Sequence, residues 1–373
     1  MKVLLLGAGG FIGVNLTERL LADGVHNVTA LDIHESKIEH LINNPDLNYL
    51  HLNISTDEEE VDKLVADSDV VVDLVAFANP ALYVTDPFGV YDLNYTQNMK
   101  VVEQCRKHKK RLVQFSTCEV YGITAAKAAE QFGLTTAEHK CEFIEDETPL
   151  IMGPVKNHRW IYACAKQLLE RVLDALGKSE DFKFSIIRPF NFVGPRIDYL
   201  PTEEAGNPRV FSHFMDSLLY GTNPIKLVDG GDAYRAYTYI DDAVDAIVRV
   251  VENKGDNCNG EIFNIGQPDN ELQIKDMAVM MCDIFDEKFR IDSDPPRPEI
   301  IDISGEEFYG EGYQDCDRRI ANIDKARNLL GWDPQYDIEA VITKTMEYFV
   351  NEYRKKQASE APEVTAKSET ASV

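Results

Sequence analysis

Basic residues are scarce in this sequence of 373 residues, in which 38 Lys and Arg face 64 Asp and Glu. The formal net charge of −26 repels the phosphates of nucleic acids and anionic membranes, so neither is an expected partner. Long hydrophobic runs are also missing, and no charged leader or small-residue cleavage site precedes the first glycine turn. These absences predict a cytoplasmic protein that does not span a membrane.

The seven cysteines are scattered, and no two of them form a C-x-x-C pair. No cluster of His and Cys has the spacing of metal ligands either, so we expect no metal site. An odd and dispersed set of thiols is typical of a reducing compartment. Internal repeats are likewise absent.

Short apolar runs alternate with amphipathic stretches through the first half of the chain, as in a doubly wound parallel sheet. The predicted strands are Val3–Leu6, Val28–Asp32, Tyr49–Asn53, Val70–Ala76, Arg111–Ser116 and Phe184–Arg188. The predicted helices between them are Phe11–Leu21, Tyr91–His108 and Trp160–Leu176. The expected fold class is therefore α/β, a Rossmann sheet with a smaller C-terminal substrate-binding cap domain.

The alternation loosens after Pro189, where turn-rich segments are mixed with helices. These helices are predicted near Val210–Tyr220, Asp241–Glu252 and Ile274–Phe285. We expect a first domain over 1–190, to which segments of about 236–266 return, and a cap domain mainly over 191–354. The residues 355–373 are rich in Ala, Ser, Thr, Glu and Lys without apolar periodicity, which predicts a disordered tail.

A glycine-rich turn, Gly7-Ala8-Gly9-Gly10-Phe11-Ile12-Gly13, follows the first predicted strand and begins a helix. Glycines at this place permit a tight turn, and the free N–H groups of a helix N-terminus bind a pyrophosphate. Asp32 ends the second predicted strand, where a carboxylate accepts the ribose hydroxyls and favours NAD over NADP. The alternative is a structural turn and a surface Asp, but the order strand, turn, helix, strand and acid favours a dinucleotide site.

Tyr162 and Lys166 are four residues apart, so that a helix would place both on one face. An ammonium beside a phenol lowers its pKa, and such a tyrosine can act as a base. Most Y-x-x-x-K pairs are only solvated helix faces. The predicted strand Arg111–Ser116, however, delivers Thr117 to the sheet edge where ligands bind.

Three motifs together resemble extended short-chain dehydrogenase/reductases of the NAD-dependent epimerase/dehydratase family, which act on nucleotide sugars. They are the G-x-x-G-x-x-G turn, the S-T-x-x-V-Y-G segment from Ser116 and the Y-x-x-x-K pair. The resemblance covers nearly all of residues 1–350. It implies NAD as cofactor and a catalytic triad of Thr117, Tyr162 and Lys166.

Other segments are similar to two groups in this family, the UDP-glucuronate decarboxylase domain of bacterial lipid A aminoarabinose biosynthesis and plant UDP-apiose/UDP-xylose synthase. The similar segments include those around Arg159, Asn191, Lys226 and Arg319. The resemblance implies oxidative decarboxylation of UDP-glucuronate to UDP-4-keto-pentose, UDP-xylose or both. The 4-ketone turns the sugar into a β-keto acid, which loses CO2 readily because the ketone accepts the electron pair.

The resemblance also assigns roles and contacts to individual residues. Tyr162 is the redox base, Glu119 assists proton handling, and Arg319 donates a proton or anchors the substrate carboxylate. Asn53 and Ile54 contact the adenine of NAD. The implied substrate contacts are Ala78, Tyr83, Thr117, Cys118, Arg159, Asn191, Arg209, Lys226, Arg235 and Tyr313. Homodimerisation through the helices Tyr91–His108 and Trp160–Leu176 is usual in the family.

The sequence departs from both groups, so the product stays open. Cys118 is Ser in the decarboxylases and Cys in the plant synthases, whereas Ala78 replaces a second plant Cys and agrees with the decarboxylases. Asn53 matches the synthases. An alanine cannot transfer protons, so we expect UDP-4-keto-pentose and UDP-xylose rather than UDP-apiose, with apiose synthesis as the alternative.

Other activities of the same fold stay as alternatives. A 4,6-dehydratase carries Thr-Asp-Glu, and Cys118 stands where that Asp would be. A 4-epimerase does not need Glu119 and Arg319 beside the sugar. A non-catalytic NAD-binding protein commonly lacks the Tyr or the Lys of the Y-x-x-x-K pair, and this chain has both.

Overall fold

A computed structural model of the chain describes residues 1–124, 128, 142–198, 209–309 and 318–360. The strands are β1 Lys2–Leu6, β2 Asn27–Asp32, β3 Leu47–His51, β4 Val70–Asp73, β5 Arg111–Phe115, β6 Glu142–Phe143, β7 Phe184–Pro189, β8 Phe192–Val193, β9 Ile225–Val228, β10 Tyr234–Ala236, β11 Thr238–Tyr239, β12 Glu261–Ile265, β13 Glu271–Gln273, β14 Ile300–Ile303 and β15 Ile320–Ala321. The helices are α1 Phe11–Asp23, α2 Glu39–Ile42, α3 Glu58–Asp67, α4 Pro80–Thr85, α5 Pro87–Tyr91, α6 Asn98–His108, α7 Ile161–Glu180, α8 Val210–Tyr220, α9 Ile240–Glu252, α10 Ile274–Ile284, α11 Gly305–Tyr309, α12 Asp324–Leu330 and α13 Ile338–Glu360.

The central sheet has seven strands in the order β3-β2-β1-β4-β5-β7-β12. All neighbouring strands in it are parallel, and helices cover both faces, which confirms the predicted Rossmann-like α/β fold. Alternate residues of β1 therefore enter two different cores. Val3 and Leu5 pack on one face, and Leu4 and Leu6 pack on the other. A strand that is buried on both faces reads as a continuous apolar run.

The strand order reverses between β1 and β4, since β2 and β3 extend from β1 in one direction and β5, β7 and β12 from β4 in the other. Ligands of open α/β sheets bind outside the carboxyl ends of the strands at this switch point. Gly7 follows β1 there, and Leu74 follows β4. The topology therefore places the glycine turn at the expected ligand crevice.

Residues beyond β7 both extend the sheet and add smaller ones. β12 pairs with β7, with Ile262 opposite Ile186, and α9 packs against α1. The segment 236–266 thus joins the sheet of the first 190 residues. Two-stranded pairs form between β9 and β14, β10 and β13, β8 and β11, and β6 and β15.

Two helical segments differ from the sequence prediction. The stretch Tyr91–His108 is interrupted by a π-helical segment over Asp92–Gln97. The C-terminal helix α13 continues to Glu360, into the region 355–373 that was predicted as a disordered tail. Arg354 anchors its last part through Asp294, with Nη2 and Oδ2 3.2 Å apart, and Ala, Lys and Glu favour a helix there. In the described ranges, no helix is long and apolar enough to cross a membrane.

Candidate active site

Three glycines of the turn after β1 are required by the packing of the protein, and one of them is Gly9, where a Cβ would clash with the carbonyl oxygen of His34. Gly7 has a φ of +86°, and a Cβ there would lie 3.1 Å from the backbone of Leu74 and Val75. A Cβ on Gly13 would lie 2.3 Å from the Gly7 carbonyl oxygen. Both positions therefore need glycine so that α1 can pack closely against β1 and β4.

Gly10 is different, because none of the residues that the structure describes demands a glycine there. Its φ of −76° suits any residue, and it is exposed. Among the described residues, a Cβ there would meet only the Gly7 carbonyl oxygen, at 3.3 Å. No side chain caps α1, which begins at the next residue, Phe11. The first N–H groups of this helix, on Phe11, Ile12 and Gly13, have no acceptor within the helix. The turn thus fits a pyrophosphate lying over Gly10.

Asp32 lies beside this turn and is held by it. Its Oδ2 accepts a hydrogen bond of 2.9 Å from the N–H of Gly9, and its Oδ1 accepts one of 2.8 Å from the N–H of His34. Each carboxylate oxygen keeps a second lone pair for a ribose hydroxyl. Asn53 and the buried Ile54 come shortly after His51, the last residue of the neighbouring strand β3, at the same edge of the sheet. The predicted residues of the dinucleotide site are therefore brought together.

The predicted triad also assembles at this edge. β5 ends at Phe115, and the side chain of Thr117 then begins a 3-10 turn by accepting from the N–H of Glu119 at 3.1 Å. The hydroxyl of Tyr162, on α7, is hydrogen-bonded to Thr117. Both Tyr162 and Lys166 lie on the buried face of α7.

The electrostatics of the triad differ from the sequence prediction. Burial raises the pKa of Tyr162, Glu119 raises it further, and the hydrogen bond to Thr117 lowers it. Lys166 donates from Nζ to Oδ1 of Asn98 at 3.1 Å. Burial lowers the pKa of Lys166 to about 8, against the opposing effect of Asp73. The net direction of the Tyr162 pKa is therefore opposite to the expected lowering, because burial dominates in this structure.

Glu119 lies between two buried arginines. Arg159 donates to its carboxylate from both Nη atoms, at 2.5 and 2.9 Å. Arg319 Nη1 lies 3.7 Å from Glu119 Oε1. A bidentate Arg–carboxylate pair is geometrically fixed. The structure thus brings together the three charged residues that the sequence predicted at the sugar, although it pairs Glu119 with the arginines.

Two further predicted residues complete this cluster. The ring of Tyr83 stacks on that of Tyr162, with centroids 4.9 Å apart and planes at 11°. Cys118 is buried and hydrogen-bonded to Arg319. Burial raises the pKa of its thiol, while Arg319 and Arg235 lower it. Cys118 is therefore a buried, protonated thiol with the guanidinium of Arg319 as a neighbour.

The remaining predicted substrate contacts are spread over several elements. Asn191 donates from Nδ2 to the carbonyl of Ala236 at 3.0 Å, so its side chain serves packing in this structure. Arg209 pairs with Asp198 at 3.0 Å, and its guanidinium carbon lies 5.8 Å from the ring centroid of Phe11. Lys226 lies on β9 near His213. Ala78 is exposed beyond β4, and Tyr313 lies outside the described residues.

Sequence reasoning did not identify the residues that support Lys166. Asn98 is buried and accepts from Lys166. It also connects Lys166 to the segment after β4, because its Nδ2 donates to the carbonyl of Val75 at 3.3 Å. Asp73, at the end of β4, is buried as well, and burial raises its pKa. The signal was the recurrence of Asn94 and Asn98, four residues apart, on the face of an amphipathic stretch that should be apolar.

A second buried ion pair was also missed. Arg188 donates from Nε and Nη2 to Glu170 on α7, at 3.0 and 2.6 Å. Its guanidinium carbon lies 4.7 Å from the ring centroid of Tyr121. The hydroxyl of Tyr121 donates in turn to Asn264 Oδ1 at 2.8 Å. This network ties α7, β7 and β12 to the 3-10 turn that carries Glu119.

Comparison with known proteins agrees with this geometry. Residues 3–266 match the NAD dependent epimerase/dehydratase family. The chain is 31% identical to the PbgP3 protein from Burkholderia pseudomallei, with a TM-score of 0.79 over 96% of this chain and 98% of that one. A UDP-glucuronic acid 4-epimerase from Bacillus cereus, solved with UDP-glucuronic acid and NAD, is 22% identical, with a TM-score of 0.76 over 95% and 100% of the chains. A dTDP-glucose 4,6-dehydratase from Bacillus anthracis, solved with NAD, is 20% identical, with a TM-score of 0.73 over 95% and 99% of the chains. The last two likenesses concern the fold alone.

Proposed function

The chain belongs to the NAD dependent epimerase/dehydratase family, and we propose that it decarboxylates UDP-glucuronate oxidatively with NAD as its cofactor. One observation carries the proposal. Arg319 is only 5% exposed and lies beside Cys118 and Glu119. These two residues directly follow Thr117, which is hydrogen-bonded to the redox tyrosine Tyr162. A guanidinium is suited to binding a carboxylate. UDP-glucuronate carries a carboxylate on its sugar, whereas a neutral sugar would offer the buried guanidinium of Arg319 no anionic group.

The residues around the sugar divide the chemistry into two steps. When bound, NAD supplies the acceptor for the hydride from C4. Tyr162 takes the proton of the 4-hydroxyl, for which it must first lose its own proton, and the hydrogen bond to Thr117 favours that loss. Arg319 then anchors the carboxylate of the β-keto acid or protonates the carbon that has lost CO2. Glu119 assists this proton handling and holds Arg159 in place.

The preference for NAD over NADP follows from Asp32. Its two oxygens are fixed beside the turn by Gly9 and His34, so the carboxylate cannot easily swing away from a ribose 2′-phosphate. That phosphate would be repelled, whereas two ribose hydroxyls would each find an acceptor.

The product depends on which groups around the keto sugar can transfer protons. Making apiose requires ring opening between C2 and C3 and closure to a furanose, with several proton transfers. Cys118 offers one thiol, but it is buried and protonated, and Ala78 offers none. We therefore expect UDP-4-keto-pentose and UDP-xylose as the main products, with UDP-apiose synthesis as the alternative.

The test is incubation of the protein with NAD and UDP-glucuronate, with trapping of CO2 and NMR of the nucleotide sugars. Release of CO2 with UDP-4-keto-pentose or UDP-xylose is the expected result. No CO2 under any cofactor condition would show that the decarboxylase proposal is wrong. A major apiose product would instead assign the chain to the apiose synthases.

Variants separate oxidation from decarboxylation in the same assay. Tyr162→Phe should lower both hydride transfer and CO2 release by about 10²–10⁴-fold, because the base is lost. Arg319→Met should lower CO2 release much more than hydride transfer. Arg318→Met is the matched control, since the neighbouring Arg318 pairs with Glu271 at 2.6 Å away from Glu119. Full CO2 release by Arg319→Met would exclude the role given to Arg319.

A second candidate is 4-epimerisation of the same substrate, because the Bacillus cereus protein of similar fold is a UDP-glucuronic acid 4-epimerase. This reaction begins with the same oxidation at C4, and Arg319 would bind the same carboxylate. The two reactions differ in outcome, since an epimerase returns the hydride to the other face and keeps the carboxylate. Formation of the 4-epimer without CO2 would therefore favour this candidate.

We also propose that the protein is a homodimer through the face that α5 and α7 share. This moves the expected interface from Tyr91–His108 to the preceding helix Pro87–Tyr91 and keeps the part on Trp160–Leu176. Phe88 and Tyr91 on α5 and Cys164 and Leu168 on α7 are exposed, and the two helices pack against each other. Phe88 is 85% exposed, which is unusual for a ring of this size unless another surface covers it.

A further inference from the structure

Tyr83 is more deeply buried in the protein than contact with the substrate alone would require. It sits on the short helix α4, whose first turn is capped by Asn79 accepting from the N–H of Ala81 at 3.0 Å. The side chain is only 1% exposed. Its ring forms a small apolar cluster with Val90 and Tyr162, so most of its surface faces protein.

The ring of Tyr83 contacts two groups of the candidate active site. It is nearly parallel to the ring of Tyr162, at a centroid distance of 4.9 Å, within the range of favourable aromatic pairs. The guanidinium carbon of Arg159 lies 5.2 Å from its centroid, within cation–π range. Arg159 is in turn fixed to Glu119 by two hydrogen bonds. One aromatic ring therefore connects the redox tyrosine to the arginine–glutamate pair.

The surroundings argue against an acid–base role for Tyr83 itself. Burial raises its pKa well above the ordinary value, and Glu119 raises it further. Its phenol therefore stays protonated over the range in which the enzyme would work. What remains is the shape of the ring and its contacts with Tyr162 and Arg159.

We propose that Tyr83 is a positioning residue whose ring, rather than its hydroxyl, sets the orientation of the Tyr162 phenol and of the Arg159 guanidinium. This rests on the proposed function only in taking Tyr162 as the base for the 4-hydroxyl. A base must lie within hydrogen-bonding distance of the proton that it takes. A misplacement of about 1 Å lowers the rate by about 10²-fold, so the stacked ring controls the oxidation step.

The experiment compares Tyr83→Phe, which keeps the ring, with Tyr83→Leu, which removes it. Hydride transfer is followed by the appearance of NADH in a single turnover with UDP-glucuronate. Tyr83→Phe should keep kcat within about threefold of the wild type, and Tyr83→Leu should lower it about 10²-fold with a smaller change in KM. Loss of the ring also admits water to Tyr162, so the rise of the rate with pH should move to lower pH in Tyr83→Leu.

Tyr220→Leu is the matched control. The rings of Tyr220 and Tyr353 have the same centroid distance of 4.9 Å, but they lie at the end of α8 and on α13. This variant should leave kcat and the pH profile unchanged. Binding of NAD by calorimetry shows that each variant is folded, because the glycine turn and Asp32 do not contact Tyr83.

Two results would overturn the proposal. If Tyr83→Phe is impaired as much as Tyr83→Leu, mainly through KM, the hydroxyl is a substrate contact. If Tyr83→Leu lowers only the amount of folded protein, with kcat and pH profile as in the wild type, the ring is merely structural. Formation of NADH without CO2 by the wild type would contradict the decarboxylation but leave this comparison intact, because it is made at the hydride step.

Discussion

Lys166 is a buried cation whose charge the fold only partly compensates. It is 1% exposed, and burial lowers its pKa to about 8, with Asp73 and Glu170 acting in the opposite direction. Such a group destabilises the folded state as long as it is charged, because the unfolded chain solvates the ammonium fully. An uncompensated charge of this kind is common in active sites, where stability is lower than the sequence could provide.

This gives a stability prediction that does not depend on the substrate. The folded pKa lies below the unfolded value of 10.5, so the destabilisation is complete below about pH 8 and disappears as the pH rises towards 10.5. The stability of the wild type relative to Lys166→Met should therefore increase over this range by at most about 3 kcal/mol. Urea unfolding of both proteins at several pH values measures the difference.

A lysine on the solvent side of the same helix provides the control. Lys178 on α7 is exposed and pairs with Asp174 at 2.8 Å. The stability difference between the wild type and Lys178→Met should not vary over this pH range. A pH-independent difference for Lys166→Met as well would show that Lys166 is not a buried cation with a lowered pKa.

At the scale of single elements, some glycines of the turn from β1 to α1 are needed for packing and another for binding the ligand. Gly7 and Gly13 serve the packing of the protein, since a Cβ at either would meet backbone atoms at 3.1 and 2.3 Å. A Cβ on Gly10 would approach the Gly7 carbonyl oxygen to 3.3 Å, a much milder contact, and the φ of Gly10 is ordinary. Gly10 is therefore needed for ligand binding, because a methyl group there would lie where the pyrophosphate must approach the backbone.

Single alanine substitutions should distinguish the glycine needed for ligand binding from one needed for packing. Gly10→Ala should change the thermal midpoint much less than Gly13→Ala does, but it should weaken NAD binding at least about tenfold, or about 1.4 kcal/mol. Gly13→Ala should instead lower the stability by about 1–3 kcal/mol through overpacking. Calorimetric titration and thermal unfolding measure both quantities. If Gly10→Ala binds NAD as tightly as the wild type, the pyrophosphate does not lie over this residue.

The strands of the central sheet could be predicted because each is a short apolar run with a polar end. Their ends were less predictable. β4 stops at Asp73 rather than Ala76, because the Asp73 carboxylate accepts from the N–H of Val75 at 3.0 Å and turns the chain. The π-helical segment Asp92–Gln97 was missed for a similar reason. In this segment the side chain of Asn94 donates to the carbonyls of Phe77 and Val90. Such hydrogen bonds leave the amphipathic pattern of the sequence unchanged, so the pattern could not predict them.

The site could be predicted as a set of residues but not as a set of contacts. Motifs identified Thr117, Tyr162 and Lys166, since each motif lies in one continuous segment. Asn98 contacts Lys166 across 68 residues of sequence, and Arg159 contacts Glu119 across 40. Such pairs depend on which strands are neighbours, which the sequence alone did not specify. The direction of the Tyr162 pKa was wrong for the same reason, because burial is a property of the folded chain.

At the scale of the whole molecule, the proposed active site depends on segments from nearly the full length of the chain. The glycine turn, Asp32, the 3-10 turn with Glu119, helix α7 and Arg319 all meet at the carboxyl edge of one parallel sheet. The network of Glu170, Arg188, Tyr121 and Asn264 fixes β7 and β12 to α7. Helix α7 therefore carries Tyr162 and Lys166 on its buried face and Cys164 and Leu168 on the opposite face.

That opposite face is where the proposed dimer can be tested. Burying Phe88 and Leu168 from two copies removes apolar area from water, and a carboxylate at either position would be desolvated without a partner. Phe88→Glu with Leu168→Glu should therefore convert a dimer to a monomer in light scattering after size exclusion. Val279→Glu is the control, because Val279 on α10 is 45% exposed, as is Leu168. A monomeric wild type, or a charged double variant that remains dimeric, would show that this face is not the interface. Because α7 also carries the redox pair, the monomeric variant should keep NAD binding but lose part of its hydride transfer.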